Sequence, residues 1–279
     1  MLDFAKLPVS RDSGADFRKK GIMDKSLEEF VLAMDEVDWP VCTSATDYPE
    51  NWFIKPHSHI KHQLIYAIEG VMVVHSGLNQ WTVPPSRGIW MPSGHVHSIR
   101  CVGALKMRSV FVRQECFPQL PDETRAVSIS ALLSELIKTS VSIAGPVDED
   151  SREARIMRLI VDELTLLPTL PLHLPQPVDQ RIQAICAALR EDLGDSSTLT
   201  DWSLRLSLDA KTIQRLFHKE TGMTFGQWRQ QARLLSALER IAQGEKIIDV
   251  AGVLGYDSPS AFSTMFKKQF GTTPSHFFK

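Results

Sequence analysis

The spacing of apolar residues changes character along this chain. Between Val41 and Phe117 they come in short runs broken by Gly and Pro. Leu64–Ile68, Val71–Val74, Trp81–Val83, Ile89–Met91 and Leu105–Val112 predict strands, and many short strands at near-regular spacing predict a sandwich or small barrel. Elsewhere the apolar period is helical. One helix is expected over Ser26–Val37, ended by Trp39-Pro40. Two more are expected over Glu123–Thr139, with Val127, Leu132, Leu133, Leu136 and Ile137 on its stripe, and over Arg152–Leu167. This pair either covers the barrel or pairs with a second chain. Beyond Gln180 everything reads as helix: Gln180–Leu193, Asp201–Leu206, Ala210–Lys219, Phe225–Gln243, Ile247–Leu254 and Pro259–Phe270.

Pro168, Pro171, Pro175 and Pro177 separate the two regimes. Proline denies both helix and ladder donors, so the stretch predicts an extended, semi-stiff linker. The pattern predicts a barrel domain with an N-terminal arm over 1–120, a helical dimerisation or signal-transfer segment over 121–167, a linker over 168–178 and a helical domain over 179–279.

Within that last domain one pattern occurs twice. Arg215-Leu216-Phe217-His218-Lys219-Glu220-Thr221-Gly222 returns as Thr264-Met265-Phe266-Lys267-Lys268-Gln269-Phe270-Gly271. Each copy follows a short apolar helix and a tight turn, the arrangement that places a helix in a DNA major groove. In the first copy Ile213, Leu216 and Phe217 face inward, and Asp209 can cap the helix. Lys211, Thr212, Gln214 and Arg215 then face outward, with Lys219 near the end; Arg and Gln match the paired groups of guanine and adenine edges. The second copy turns at Gly255, carries Pro259 in the first helical turn and buries Phe262 and Phe266. Its outward face is Ser260, Ser263 and Thr264, with Lys267 and Lys268 following: small hydroxyls suited to positioning more than to bidentate readout. The joining helix of nineteen residues is roughly 28 Å long, against the ~34 Å between successive major-groove positions. The bland alternative is a helical bundle with merely structural repeats, which the matched Phe, Lys and Gly positions, Thr224 and Thr273 two residues beyond each glycine, and the stiff spacer disfavour.

These residues carry a family resemblance. Asp249-Val250-Ala251, Leu254-Gly255-Tyr256, Ser260-Ala261-Phe262, Phe266-Lys267-Lys268, Phe270-Gly271 and Thr273-Pro274 resemble the signature of AraC-type transcription regulators, as does Gly222–Arg233. The resemblance covers about residues 180–279 and implies a bacterial one-component regulator that binds promoter DNA through both units. It places base reading on Lys211, Gln214 and Arg215, and on Pro259, Ser260, Ser263 and Thr264. Ser207 stands where the family usually has Gly.

The barrel adds candidate chemistry. His57-Ser58-His59, Gln63 and Gly70 are followed by Pro92-Ser93-Gly94-His95-Val96-His97. Alternate histidines on a strand share a face, and a third from a neighbouring strand can complete a facial set around a metal. The spacing resembles the two cupin motifs, which implies a double-stranded β-helix barrel with His57, His59, Gln63 and His97 as ligands of a divalent Zn, Ni, Mn or Fe. Gln63 replaces the usual Glu, and Cys101 the usual Asn. Three readings stand: a metal site, a metal-free pocket whose histidines bond a small molecule or one another, or solvent-facing histidines at a barrel mouth. Tyr66, Trp81, Trp90 and Met91 are the expected pocket walls, aromatics at alternate strand positions being more often plain core.

Composition trims the alternatives. A net charge of −2 argues against a nucleic-acid binder, but it is uneven. Residues 1–178 hold 18 Lys and Arg against 22 Asp and Glu, whereas 179–279 hold 13 against 11. No window approaches eighteen apolar residues and the N-terminus lacks a signal pattern, so a cytoplasmic protein is expected, with four reduced cysteines. The leading expectation is a non-enzymatic, effector-responsive regulator, an activator or repressor. Its partners are promoter DNA, a second copy of the chain, a small molecule or metal, and RNA polymerase where it activates. The alternatives are a metal-dependent cupin dioxygenase or isomerase with a DNA-binding tail, and an architectural DNA protein.

Overall fold

The computed structural model describes residues 27–143 and 147–277, to which all structural statements refer. The expected N-terminal arm, and Ser26 at the start of the first expected helix, lie outside them. In chain order the elements are α1 (Leu27–Asp35), β1 (Val41–Tyr48), β2 (Phe53–His57), β3 (His62–Ser76), β4 (Asn79–Val83), β5 (Arg87–Met91), β6 (His97–Val112), β7 (Arg125–Ser128), α2 (Ala131–Ser140) and α3 (Arg152–Thr165). They continue with β8 (Thr169–Leu170), β9 (His173–Pro175), α4 (Gln180–Glu191), α5 (Leu199–Leu206), α6 (Ala210–Thr221), α7 (Phe225–Ala242), α8 (Ile247–Val253), α9 (Pro259–Phe270) and α10 (Pro274–Phe277). No helix among the described residues is long and apolar enough to cross a membrane. The chain forms two compact units, one of residues up to Met72 with Val83–Pro171, the other of Val73–Thr82 with the chain from Leu172 onward.

The first unit is sheet-rich, with strand order β1-β6-β3-β5-β7-β8 and β2 beside β6. Beside β3, β6 serves two further partners: its C-terminal half pairs with β1 from Val41↔Val112 to Tyr48↔Leu105, and its N-terminal end with β2 through Ile54↔Ile99 and His57↔His97. Gly70 lets β3 and β6 come this close. Its φ is +82°, and a Cβ there would lie 2.5 Å from the Ala104 carbonyl oxygen.

Strand alternation divides the sheet into two faces. Val41, Leu64, Tyr66, Trp90, Val110 and Val112 share a core with Leu133 and Ile137 of α2 and Ile160 and Leu164 of α3. Fully burying such a side chain contributes roughly 1.5–3 kcal/mol. Cys42, Ser44, Gln63, Met91, Ser109 and Phe111 therefore point to the other face of the sheet.

Two expectations are corrected here. Glu123–Thr139 is not one helix: Arg125–Ser128 pairs with β5 through Gly88↔Val127 and Ile89↔Ala126, and the helix starts only after Ser130, whose hydroxyl accepts the Leu133 N–H. Val127, expected on a helical stripe, is a strand residue in the core. The proline-rich segment is extended, as its prolines require, but it is also paired: Thr169-Leu170 with β7, and His173–Pro175 with β4.

In the second unit, β4 and β9 pair through Asn79↔Pro175 and Trp81↔His173. α7 docks on that ladder, the Trp228 indole donating to the Pro175 carbonyl at 2.9 Å and the Gln231 amide to His173 at 3.2 Å. Around α7 lie the two helix-turn-helix pairs, α5 with α6 and α8 with α9.

Candidate effector site and DNA interface

β2 ends at His57 and β6 begins at His97, directly paired, with His59 two residues beyond the strand end. Ring centroids lie 4.3 Å apart for His57 and His97, 5.3 Å for His57 and His59, and 6.1 Å for His59 and His97. One ring nitrogen from each falls within 4.8 Å of the others. Two tautomers are set by backbone: Nδ1 of His57 lies 2.8 Å from the Lys55 carbonyl and Nδ1 of His97 3.1 Å from the His95 carbonyl. A carbonyl can only accept, so each Nδ1 carries the proton and each Nε2 keeps its lone pair. Nε2 of His97 and both ring nitrogens of His59 are buried without a hydrogen-bond partner.

Burial also keeps these rings neutral. It pushes His59 down to about 3, with His57, His97 and Lys61 adding to the shift. Burial pushes His97 down to about 4 and lowers His57 as well. Neutral imidazoles with free lone pairs are what a divalent cation of the Zn type requires. Orphaned buried nitrogens cost stability unless something satisfies them, so the donor set fits such an ion.

The surroundings sort the remaining sequence candidates. The Gln63 amide donates to Ser109 Oγ at 3.2 Å and its Oε1 has no partner. Ser109 alternates on β6 with Phe111, whose ring lies 4.9 Å from that of His59. His62 and His95 stand apart: His62 Nδ1 accepts the Ser93 N–H at 3.0 Å, and His95 Nδ1 meets Thr124 Oγ1 at 2.9 Å. Cys101 is outside the histidine group, and burial pushes its thiol up to about 11. All four cysteines are free and buried. Of the expected pocket walls, Met91 pairs with Gln63 and shares its face. Tyr66 and Trp90 instead belong to the core under α2 and α3, bonded to Ser134 Oγ at 2.9 Å and to the Pro121 carbonyl at 2.7 Å. Trp81 sits in the second unit opposite His173.

Two residues at this site went unnoticed in the sequence. The Asp35 carboxylate, at the end of α1, lies 3.4 Å from His59 Nδ1 and accepts the Ile60 N–H at 3.3 Å. With His59 neutral this contact is no ion pair. Lys61 is buried, its ammonium donating to the carbonyls of Met34 at 2.7 Å and Val37 at 2.5 Å. Nothing in their local pattern distinguishes them from solvent-facing charges.

The second unit presents two capped helices. On α6 the Asp209 carboxylate accepts from Lys211 N and Thr212 N, and Gly222 closes the helix at φ +69°. Ile213, Leu216 and Phe217 are buried, leaving Lys211, Arg215 and Lys219 exposed and Thr212 and Gln214 half-buried. Lys211, Gln214, Arg215 and His218 line an open groove with Leu199 and Thr224. On α9 the Ser258 hydroxyl accepts from Ala261 N, Phe262 and Phe266 are buried, and Gly271 ends the helix. Pro259, Ser260, Thr264, Lys267 and Lys268 are exposed and Ser263 half-buried. A further feature, hidden in the sequence, joins the two pairs. Arg233 of α7 donates to the Leu193 carbonyl at 2.6 Å and to Asp195 at 3.0 Å, and Arg229 to Ser197 at 2.8 Å. The loop so held packs its Gly194 against Gly255 in the second turn.

Comparison with known proteins decides the class. A family model described as an AraC-like ligand binding domain matches residues 38–214, and a helix-turn-helix domain model matches 202–279. This chain belongs to the AraC-type transcription regulators. It is similar to the HTH-type transcriptional regulator NimR of Escherichia coli K12, 32% identical over 79% of this chain and 81% of that protein. The HTH-type transcriptional activator RhaR of Mannheimia succiniciproducens is 21% identical over 79% of this chain and 86% of its own. The HTH-type transcriptional regulator RipA of Corynebacterium glutamicum is 31% identical over 44% of this chain and 35% of that protein. This AraC-type regulator thus binds DNA through its C-terminal helices and carries a ligand-binding, sheet-rich N-terminal domain.

Proposed function

We propose that the barrel of this regulator holds a divalent metal on His57, His59 and His97, with Gln63 Oε1 as a fourth donor, and uses it to bind an effector without turnover. The reading is carried by three neutral imidazoles, those of His59 and His97 buried and that of His57 half-buried, whose ring nitrogens converge, with Nε2 of His97 and both nitrogens of His59 left without a hydrogen-bond partner. An all-nitrogen triad favours Zn or Ni over Mn or Fe by ligand softness and affinity order. A bound ion supplies positive charge and open coordination positions. The protein fixes the tautomers through Lys55 and His95, and shields the set with Phe111. Metal analysis of the full chain tests this: one equivalent should copurify or be taken up, and His59→Ala should abolish it. A parent chain that takes up no metal would refute the site.

On DNA, Lys211, Gln214 and Arg215 read base edges. Thr212, Lys219, Pro259, Ser260, Ser263, Thr264, Lys267 and Lys268 place the protein on the backbone. The working form is a homodimer on promoter DNA in the cytoplasm, contacting RNA polymerase where it activates. Self-association through 121–167 is supported by Leu132 and Leu159, large apolar side chains left exposed on α2 and α3. Residues 1–120 sense, 168–178 link and 179–279 bind, and effector binding shifts the population of the DNA-competent state. Ultracentrifugation of the parent and of Leu132→Asp checks the dimer; a monomeric parent at micromolar concentration would reject it.

A further inference from the structure

We infer that the effector of this barrel is a small anion that joins the metal, a carboxylate or another oxyanion rather than a neutral molecule. The inference rests on the metal reading above and follows from charge. Three neutral imidazoles and a neutral amide leave both positive charges of a divalent ion uncompensated by their ligands. Among the described residues no Asp or Glu is buried, and the one buried charged side chain, Lys61, is itself a cation. Asp35, the carboxylate beside His59, also lies within electrostatic reach of Lys61, so the two offset each other.

A buried charge without a counter-charge is costly, and the cost falls when an anion enters with the ion. The interior offers that anion polar company. Ser44 of β1 stands directly opposite Ser109 of β6, both buried. Ser109 Oγ accepts from Gln63, leaving its own proton to donate. Ser109 is two residues from Phe111, whose ring lies against His59, so the paired hydroxyls share the strand face that meets the His59 imidazole. A neutral effector would leave the charge of the ion unmet.

The test uses the full chain, stripped of metal, loaded with one equivalent of cobalt(II) in chloride-free buffer and followed by visible absorption. Acetate and its neutral isostere acetamide are titrated in parallel. Acetate should shift the cobalt bands to saturation and bind about a hundredfold tighter than acetamide, as expected when a charge interaction is gained in a low-dielectric site. Equal affinity for the two, or bands unmoved by acetate, overturns the anion assignment while leaving the metal site standing. Failure of the parent to bind cobalt, or cobalt bands unchanged in His59→Ala, overturns the metal reading itself.

Discussion

The two helix-turn-helix pairs are built alike and finished differently. Both second helices run for twelve residues, both are capped by a side chain, and both stop at a left-handed glycine. Their turns differ. In the first, Ser207 takes the left-handed conformation at φ 52°, two residues before the cap Asp209. In the second, Gly255 takes it at φ +72°, three residues before the cap Ser258, so that turn is one residue longer. Ser207 is exposed and its turn is tied by Ser203 Oγ donating to the Leu208 carbonyl at 2.6 Å. At Gly255 a Cβ would meet the Gly194 carbonyl oxygen at 2.9 Å and the Gly194 Cα at 3.0 Å. A side chain is tolerated in the open turn and excluded from the packed one. The outer faces differ in the same sense: long Lys, Gln and Arg on the first helix, small hydroxyls on the second.

That contrast can be broken deliberately. The largest effect is expected from Gly255→Ala, which adds left-handed strain of about 1–2 kcal/mol to a clash with backbone, for a total loss of roughly 2–4 kcal/mol. Denaturant unfolding of the full chain measures it; a loss no larger than that of Ser207→Ala would erase the difference between the turns. Next comes base reading. Arg215→Ala should weaken binding to the preferred duplex by about 1–3 kcal/mol and relax its sequence preference, whereas Thr264→Ala should cost under about 1 kcal/mol. Competition titrations with preferred and scrambled duplexes resolve the two. The lysines of the second helix should act on all sequences alike. Lys267→Ala should leave the ratio of specific to nonspecific affinity intact and flatten the salt dependence by about one unit of slope. The smallest effect is a gain. Ser207→Gly relieves about 1–2 kcal/mol of left-handed strain but gives back roughly 0.5–1 kcal/mol of glycine entropy, so thermal unfolding should rise slightly.

Much of the DNA-binding unit was legible because its signals are local. The second recognition helix begins and ends where Ser258, Pro259 and Gly271 place it, since cap, first-turn proline and left-handed stop act within a few residues. Over residues 123–139 the helical period carried on through Arg125–Ser128, a short strand fixed by pairing with β5 rather than by its own pattern. The histidine triad was legible as alternating spacing; its neighbours were not. Asp35 meets His59 only through a tertiary contact, twenty-two residues from the nearest triad histidine, and Ser109, twelve residues from His97, bonds Gln63 on the strand face it shares with Phe111. The misplaced pocket walls are a matter of parity. Gln63 and Tyr66 are an odd number apart on β3, and Trp90 adjoins Met91 on β5, so neither pair can share a face. The Leu193–Ser197 loop, held by α7 against the second turn, left no trace in the sequence, because Arg229 and Arg233 read equally well as solvent-facing charges on α7.

On the reading proposed above, this regulator pairs one specific reader with one positioning clamp. Selecting preferred duplexes from a random library, with the parent, Arg215→Ala and Thr264→Ala in parallel, tests it most directly. The expected result is loss of preference at one cluster of base pairs in Arg215→Ala, with the parental preference retained in Thr264→Ala. Equal loss in both variants, or a parental preference kept by Arg215→Ala, would contradict it.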